Sequence, residues 1–302
     1  MTEISGAAVD VVSALTADQV AAIDDLVRRS TEADGVSPLN EEAGLRLHDP
    51  YAKHVLHVRA TNGDRLVGYA IAALGDAGAP VVLECVVDPA HRRRGVGAHI
   101  VRTVIGGVGA SDVHAWAHGD LPGAAELADN TGFERIRVLL RLRTHLVEPL
   151  AEAPTPDGIT IRTFRPGADD AAWLELNARA FADHPEQGSM TQRDLDARTA
   201  SAWFDPAGFF LAERNGDLVG FHWTKVPDPY EPVGEVFVVG VDPSAQGAGL
   251  GLTLTRRGLV HLQQQGVRTV ELYVEGDNAP ALKVYRRLGF DEAARDVMYR
   301  HR

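Results

Sequence analysis

One short pattern occurs twice in this chain at a fixed spacing, and that limits what the chain can fold into more than any other feature. Asp88-Pro89, Arg92, Gly95 and Gly97 are matched by Asp242-Pro243, Gln246, Gly249 and Gly251, each displaced by the same number of residues. Gly132-Phe133 and Gly289-Phe290 continue the match at nearly that displacement. The turn sequence from Asn62 to Gly68 also has a counterpart, from Asn215 to Gly220. The repetition predicts a duplication, two copies of one α/β domain. A length of 302 residues suits two ordinary domains, and 45% hydrophobic residues can supply a core for each. The expected division is residues 1–144, a linker at 145–158 with three prolines and no periodicity, and residues 159–302.

In the second occurrence, Gly234 to Val241 is an apolar, valine-rich run without helical spacing, which reads as a buried strand. Asp242-Pro243 ends it, Gln246 to Gly251 turns sharply, and Leu252 to Leu262 has helical period. A strand, a glycine turn and a helix start present free backbone N–H groups at the positive end of a helix dipole, a site for phosphate. A dinucleotide fingerprint would need a third glycine, and a P-loop would need Gly-Lys-Ser/Thr. The sequence has neither. It does fit Q/R-x-x-G-x-G/A at Gln246, Gly249 and Gly251. A glycine turn with no ligand is the competing reading, and the downstream sequence weighs against it. Val270 to Val274 reads as the next strand, followed by Asn278, Ala281, Tyr285, Gly289 and Phe290 in N-x-x-A-x-x-x-Y-x-x-x-G-F. Together the two motifs resemble the GCN5-related N-acetyltransferases. The resemblance implies that each copy has a mixed, mostly antiparallel sheet flanked by helices. Its central strands would splay so that acetyl-CoA lies between them.

Elsewhere, Thr16 to Gln19 has capping-box form ahead of an apolar face of Val20, Ile23, Leu26 and Val27. Asp34 to Glu42 reads as a polar loop. Val55 to Ala60 and Leu66 to Leu74 read as a hairpin around Asn62-Gly63. Val81 to Val87, Ile159 to Phe164, Phe209 to Glu213 and Leu218 to Val226 read as strands, and a helix runs through Trp173 to Phe181. A formal net charge of −12 argues against broad nucleic-acid binding. No apolar run reaches the length of a membrane span, and no secretory leader is read, so a cytoplasmic protein is expected. The only cysteine, Cys85, excludes an internal disulfide and reads as an inert buried thiol; no metal is expected.

The duplication supplies an internal control. Displaced onto the first copy, Tyr285 falls on Ala128 and Glu235 on Val81. An amine attacking a thioester needs a route for its excess proton and an acid for the departing thiolate. Glu235, at the start of the strand leading into the glycine turn, suits the base, and Tyr285 suits the acid. The first copy lacks both. Its Arg92-to-Gly97 turn then holds a cofactor without using it, or is vestigial. Glu235 as a solvated strand end and Tyr285 as core packing are the alternatives.

Over nearly its whole length the chain resembles a tandem branch of those acetyltransferases, the mycothiol synthases. The matching segments are Asp34 to Glu41, Ala180 to Gly188, Ala202 to Pro206, Phe221 to Val226, Gly234 to Pro243 and Leu272 to Asn278. The resemblance implies acetyl transfer to the cysteinyl amine of a cysteine–glucosamine–inositol pseudodisaccharide, by a monomer. It implies substrate contacts from Glu41, Glu186, Lys225, Glu235 and Tyr273. For acetyl-CoA it implies Val239, Gly240 and Val241, then Gln246, Gly247, Ala248, Gly249, Leu250, Gly251 and Leu252. Asn278, Ala279, Pro280, Ala281, Leu282 and Lys283 complete that set. In the first copy it implies Cys85, Val86, Val87, Arg93, Arg94, Gly95, Val96, Gly97 and Ala98. An acetyltransferase for protein N-termini or other small amines, and a non-enzymatic acetyl-CoA-responsive module, are the other function classes the sequence leaves open.

Overall fold

The structure is a computed structural model that describes residues 7–75, 79–109, 112–182, 187–227 and 233–302. The first half of the chain runs β1 (Ala8–Val12), α1 (Ala17–Asp34), α2 (Glu41–His48), β2 (Val55–Asn62), β3 (Arg65–Ala73) and β4 (Val81–Val87). It continues with α3 (Val96–Val108), β5 (Val113–His118), α4 (Pro122–Thr131) and β6 (Glu134–His145). The second half repeats the plan: β7 (Thr160–Thr163), α5 (Asp170–Ala180), α6 (Gln192–Thr199), β8 (Phe209–Arg214), β9 (Asp217–Lys225) and β10 (Val233–Val241). After it come α7 (Leu250–Gln264), β11 (Thr269–Glu275), α8 (Ala279–Arg287) and β12 (Asp291–His301).

Two compact units result, and their composition departs from the expected division at 1–144 and 159–302. One unit comprises residues 1–139 with 294–302, the other residues 140–293. The closing strand of each repeat is therefore largely exchanged. Most of β12 counts with the first unit, and the second half of β6 counts with the second. Sequence similarity between the copies cannot reveal this, because both strands are strands in either arrangement.

In the first unit, β1 to β4 pair antiparallel in order, β4 pairs parallel with β5, and β5 pairs antiparallel with β12. α1 starts as its sequence predicts. Thr16 accepts from the Gln19 N–H, Gln19 returns a bond to the Thr16 N–H, and Gly35 closes the helix at φ +72°. Ile23 and Leu26 on its inner face pack with Tyr69, Ile71 and Val86 on one side of the sheet. The other side buries Val58, Val67, Leu83 and Val113 against Val96, Ile100 and Val104 of α3. The expected loop from Asp34 to Glu42 is shorter than predicted, because Asn40 caps α2 by accepting from the Ala43 N–H.

The second unit has the same topology: β7 to β10 antiparallel in order, β11 parallel to β10, and β6 beside β11. One face is an aromatic core. Trp173, Phe209, Phe221 and Trp223 are fully buried, and Phe209 stacks on Trp223 at 4.5 Å between centroids. Each such side chain contributes roughly 1.5–3 kcal/mol relative to leaving it exposed. The expected linker is a strap on α7 within this unit. Gln263 bonds the Glu148 carbonyl and the Leu150 N–H, Arg256 bonds the Ala151 carbonyl, and Thr253 bonds the Pro154 carbonyl.

In both units the parallel pair at the centre parts early. β4 and β5 pair only over Val81–Leu83 with Val113–Ala115, and β10 and β11 only over Val233–Glu235 with Thr269–Glu271. Beyond those residues each pair of strands is open, which is the splay the resemblance implies.

Candidate active site

In the second unit the open strands lead into the glycine turn. Val239, Gly240 and Val241 end β10, and Gln246 to Gly249 are exposed. Gly247 and Gly249 have φ values of +83° and +81°, which favour glycine, and a Cβ on either would meet nothing within 4 Å. The first helical bond of α7 runs from the Thr253 N–H to the Gly249 carbonyl. The N–H groups of Leu250, Gly251 and Leu252 therefore have no partner within the helix and are available to an anion. The Gln246 side chain has a local task. Its amide donates to the Val241 carbonyl at 3.3 Å, pinning the turn to the end of the strand. Asn278 likewise has a local task, accepting from the Ala281 N–H at 3.1 Å as the cap of α8. Ala279, Pro280, Ala281, Leu282 and Lys283 form the first turns of that helix.

Where the strands part, ionisable side chains gather on one face. Glu235 pairs in register with Glu271 of β11 and Lys225 of β9, so the three project to the same side. The Lys225 ammonium lies 3.6 Å from Glu235 Oε2, and both side chains are largely buried. Lys225 also sits over the rings of Trp203 at 5.3 Å and Phe237 at 5.4 Å, a cation–π cage. Burial pushes the Glu235 carboxyl above the usual carboxylate range; Lys225 draws it back in part, and the charge of Glu271 adds to the rise. Glu271 is held by Arg143 and lies 3.6 Å from Arg141. Tyr273, two residues on along β11, is 52% exposed; partial burial raises the pKa of its hydroxyl, and Arg141 opposes that.

Tyr285 is buried on the inner face of α8, its ring edge-on to Phe290 at 5.7 Å. Burial pushes its phenol well above the ordinary tyrosine value, so it is protonated at neutral pH and able to donate. The second unit thus brings together Lys225, Glu235 and Tyr273. Glu41 is exposed and opens α2 in the first unit. Glu186 lies outside the described residues. Sequence reasoning missed Trp203, Phe237, Arg141, Arg143 and Glu271. The register of the β9–β10 hairpin signals Phe237, but no local pattern signals Arg141 or Arg143, whose strand pairs with a distant one.

Taken together, a backbone anion cradle, a raised carboxyl and a protonated phenol on neighbouring elements suit acyl transfer to an amine. The pattern of the acetyltransferase (GNAT) family matches residues 20–133 and again 172–290. The chain belongs to that family, in two copies. A protein of Thermomonospora curvata named mycothiol acetyltransferase is 50% identical over 287 residues, 94% of this chain and 94% of that protein. A protein of Geodermatophilus obscurus with the same name is 51% identical over 288 residues, 93% of this chain and 94% of that one. Among solved structures, a GCN5-related N-acetyltransferase from Sphaerobacter thermophilus is 25% identical with a TM-score of 0.76, over 97% of this chain and 95% of the other. As a GNAT enzyme the chain is an acetyl-CoA-dependent N-acetyltransferase. No helix among the described residues is long and apolar enough to cross a membrane.

The first GNAT copy keeps the cradle and changes its surroundings. Arg92 donates to the Val87 carbonyl at 3.1 Å, as Gln246 does to Val241, and its guanidinium holds Asp34 at 2.6 and 2.7 Å. Arg93 is paired with Glu126. A cleft of about 570 Å³ is bordered by Cys85, Val86, Val87, Arg93, Gly95, Val96, Gly97 and Ala98, though not by Arg94. Burial pushes the Cys85 thiol up to about 12, which fits an inert cysteine.

The structure corrects one correspondence. β10 carries a bulge opposite β9 between Val236 and Val238, whereas β4 pairs with β3 without interruption. Lys225 faces Glu235, and Ala73, its counterpart on β3, faces Val82. The residue standing for Glu235 in the first copy is therefore Val82 rather than Val81, since the bulge inserts one residue. The chemical conclusion holds, because valine is no base.

Proposed function

We propose that the chain transfers the acetyl group of acetyl-CoA to the cysteinyl amine of the cysteine–glucosamine–inositol pseudodisaccharide, the last step of mycothiol biosynthesis. The thioester supplies an activated acetyl group. The amine nitrogen forms a bond to the acetyl carbon, and the carbon–sulfur bond breaks. Glu235 takes the proton the nitrogen loses, directly or through water, and the Tyr285 hydroxyl donates to the departing thiolate. An α-amino group has a pKa of about 7.7–8.0 in peptides, so a carboxylate with a raised affinity for protons is a sufficient base. The backbone of Gln246 to Leu252 binds the pyrophosphate. Lys225 and Tyr273 contact the polyol, as donor or acceptor according to their chemistry. The protein works as a monomer in the cytoplasm.

The observation that carries this reading is Glu235. It is a largely buried carboxyl at the point where the parallel strands part, paired with a lysine caged by two aromatic rings. The acceptor is the one the sequence resemblance implies, and the name of the relatives, mycothiol acetyltransferase, supports it. The test is acetyl transfer measured on the pseudodisaccharide beside a panel of peptides with free N-termini and simple amines. A kcat/KM for the pseudodisaccharide at least about 10²-fold above every other acceptor is expected, a ratio beyond what one or two methylenes of pocket contact provide. Equal or better turnover of a peptide moves the chain to the protein-modifying acetyltransferases.

A further inference from the structure

Two carboxylates stand side by side where the strands of the second unit part. Glu235 of β10 and Glu271 of β11 are partners in a parallel register, so their backbones lie about 4.8 Å apart. A like charge at that spacing disfavours ionisation of its neighbour. Lys225 offsets part of this from β9, with its ammonium 3.6 Å from Glu235 Oε2.

Glu271 has partners of its own. Arg143 Nε donates to Glu271 Oε1 at 2.7 Å, and a second N–H of the same guanidinium meets that oxygen. Arg141 Nη1 lies 3.6 Å from Oε2. Each oxygen of the carboxylate therefore faces a guanidinium. The Glu271 side chain is only 15% exposed, so water does little of the screening that the arginines provide. Both arginines come from the part of β6 that belongs to this unit.

Among the described residues, Lys225 and Glu271 are the charged groups that act on Glu235. α5 faces this side of the sheet with Trp173 and Leu176, and its Arg179 is engaged by Asp242. α7 packs on the opposite side, against Gly220 and His222.

We propose that Arg143 is a positioning residue for acetyl transfer: by holding the Glu271 carboxylate it leaves Glu235 ionised and free to take the proton of the amine. This role rests on Glu235 being the base, as proposed above. Glu271 strengthens that base, and Arg143 limits the effect so that the carboxylate is still ionised when the amine arrives. The proton moves from the amine nitrogen to Glu235 alone; none passes to Glu271 or Arg143.

The test is the pH dependence of kcat/KM for the pseudodisaccharide, which reports the base of the free enzyme. The full chain is measured as wild type, Arg143→Gln, Arg143→Lys, Glu271→Gln and the double variant. Arg143→Gln should lose about tenfold at about pH 6 and no more than about threefold at about pH 9, because one uncompensated charge acts on the ionisation of the base. Arg143→Lys keeps a cation and should recover most of the acid loss. Glu271→Gln should displace the acid limb the opposite way, to lower pH. With Glu271 neutral, adding Arg143→Gln should move the limb by less than about threefold, since the charge it held is gone.

A loss equal at all pH values, or the same displacement with Glu271 neutral, overturns the proposal. Glu271→Gln decides the matter even if circular dichroism shows that Arg143→Gln does not fold: an acid limb that stays in place there overturns it too. Glu235→Gln separates this inference from the mechanism beneath it. If that variant keeps the wild-type acid limb, Glu235 is not the base and both fall. If it loses the limb while Arg143→Gln leaves it in place, this inference alone falls. Should another amine be the preferred acceptor, the same profiles are taken with that amine.

Discussion

The two units keep the same cradle and oppose different faces to it. In both, an aspartate caps the turn after the strand: Asp88 accepts from the Ala90 N–H and Asp242 from the Ser244 N–H, each at 2.9 Å. In both, a long polar side chain ties the turn to the strand end, and a glycine in left-handed conformation starts the helix. The divergence lies beyond the turn. Where the second unit has Lys225, Glu235, Glu271 and Tyr273, strand register gives the first unit Ala73, Val82, His114 and Trp116. The comparison teaches that the glycine turn specifies where an anion binds and says nothing about whether chemistry follows. The chemistry depends on the bulged strand and the next helix.

The largest effect should come from making the second unit resemble the first at those positions. Glu235→Ala should lower kcat by about 10²–10⁴-fold, the range for a general base. Glu235→Gln should also remove the acid limb of the pH–rate profile. In the wild type, activity should fall as pH drops through the Glu235 pKa, which burial holds above the ordinary glutamate value. Tyr285→Phe should cost about 10²-fold, because the ring packing survives and only the proton donor is lost. Near wild-type steady-state rates across pH in the glutamate variants would end the role assigned to Glu235.

Next in size is substrate binding. Lys225→Ala should raise KM for the pseudodisaccharide about 10- to 100-fold, the loss of one charged hydrogen bond at roughly 1.5–3 kcal/mol, and leave KM for acetyl-CoA nearly unchanged. Trp203→Leu keeps the charge and removes half of the ring cage, so its rise should be smaller. Parallel increases in both KM values would mean that Lys225 only supports the strand.

Much of this site could be read from residue order, and the remainder had physical reasons to stay hidden. The cradle was legible because a left-handed backbone and a ligand-facing main chain both demand glycine. Glu235 was legible as the start of the strand leading into the turn, and Lys225 through the resemblance. The bulge at Phe237 was not, since one inserted residue leaves the composition of a valine-rich strand unchanged. Arg141 and Arg143 were hidden for a different reason: β6 meets β11 only in the fold, and residues far apart in sequence leave no periodic trace. Gln246 and Asn278 were read as cofactor contacts from their motif positions; the motif does not signal that their side chains also bond the local backbone.

Two buried histidines let pH separate the units. In the first unit, burial of His118 would lower its pKa, but the hydrogen bonds and charges of Asp296 and Glu84 override this and raise it to about 9. Its contribution to stability is complete below the unfolded value near 6.5 and is lost as pH rises through about 9. In the second unit, burial first, then the charge of His261, lowers His222 to about 3. The unfolded state then binds the proton first, so stability falls as pH drops below about 6.5. Thermal midpoints should fall on the alkaline side in the wild type and respond less in His118→Gln. On the acid side His222→Leu should flatten the response. Over its full range the effect should amount to about 3 kcal/mol for His118 and about 5 kcal/mol for His222. An alkaline limb unchanged in His118→Gln would remove the assignment for the first unit.

The smallest effect concerns the two helices that follow the parallel strands. Asn278 caps α8 with its side chain, whereas Leu121 at the same place before α4 makes no side-chain cap bond. Asn278→Ala should cost about 1 kcal/mol, and Leu121→Asp should stabilise α4 by a similar amount. For units of this size either change should move the thermal midpoint by about 2–4 °C. The pair also distinguishes the two tasks open to Asn278. Asn278→Asp and Asn278→Ser keep an acceptor oxygen for the Ala281 N–H and should keep the midpoint. If the cap is the residue's whole task, both variants also keep the wild-type KM for acetyl-CoA. A raised KM at an unchanged midpoint would mean instead that the Asn278 amide touches the cofactor. The difference between the copies at this position would then be one of chemistry as well as of helix stability.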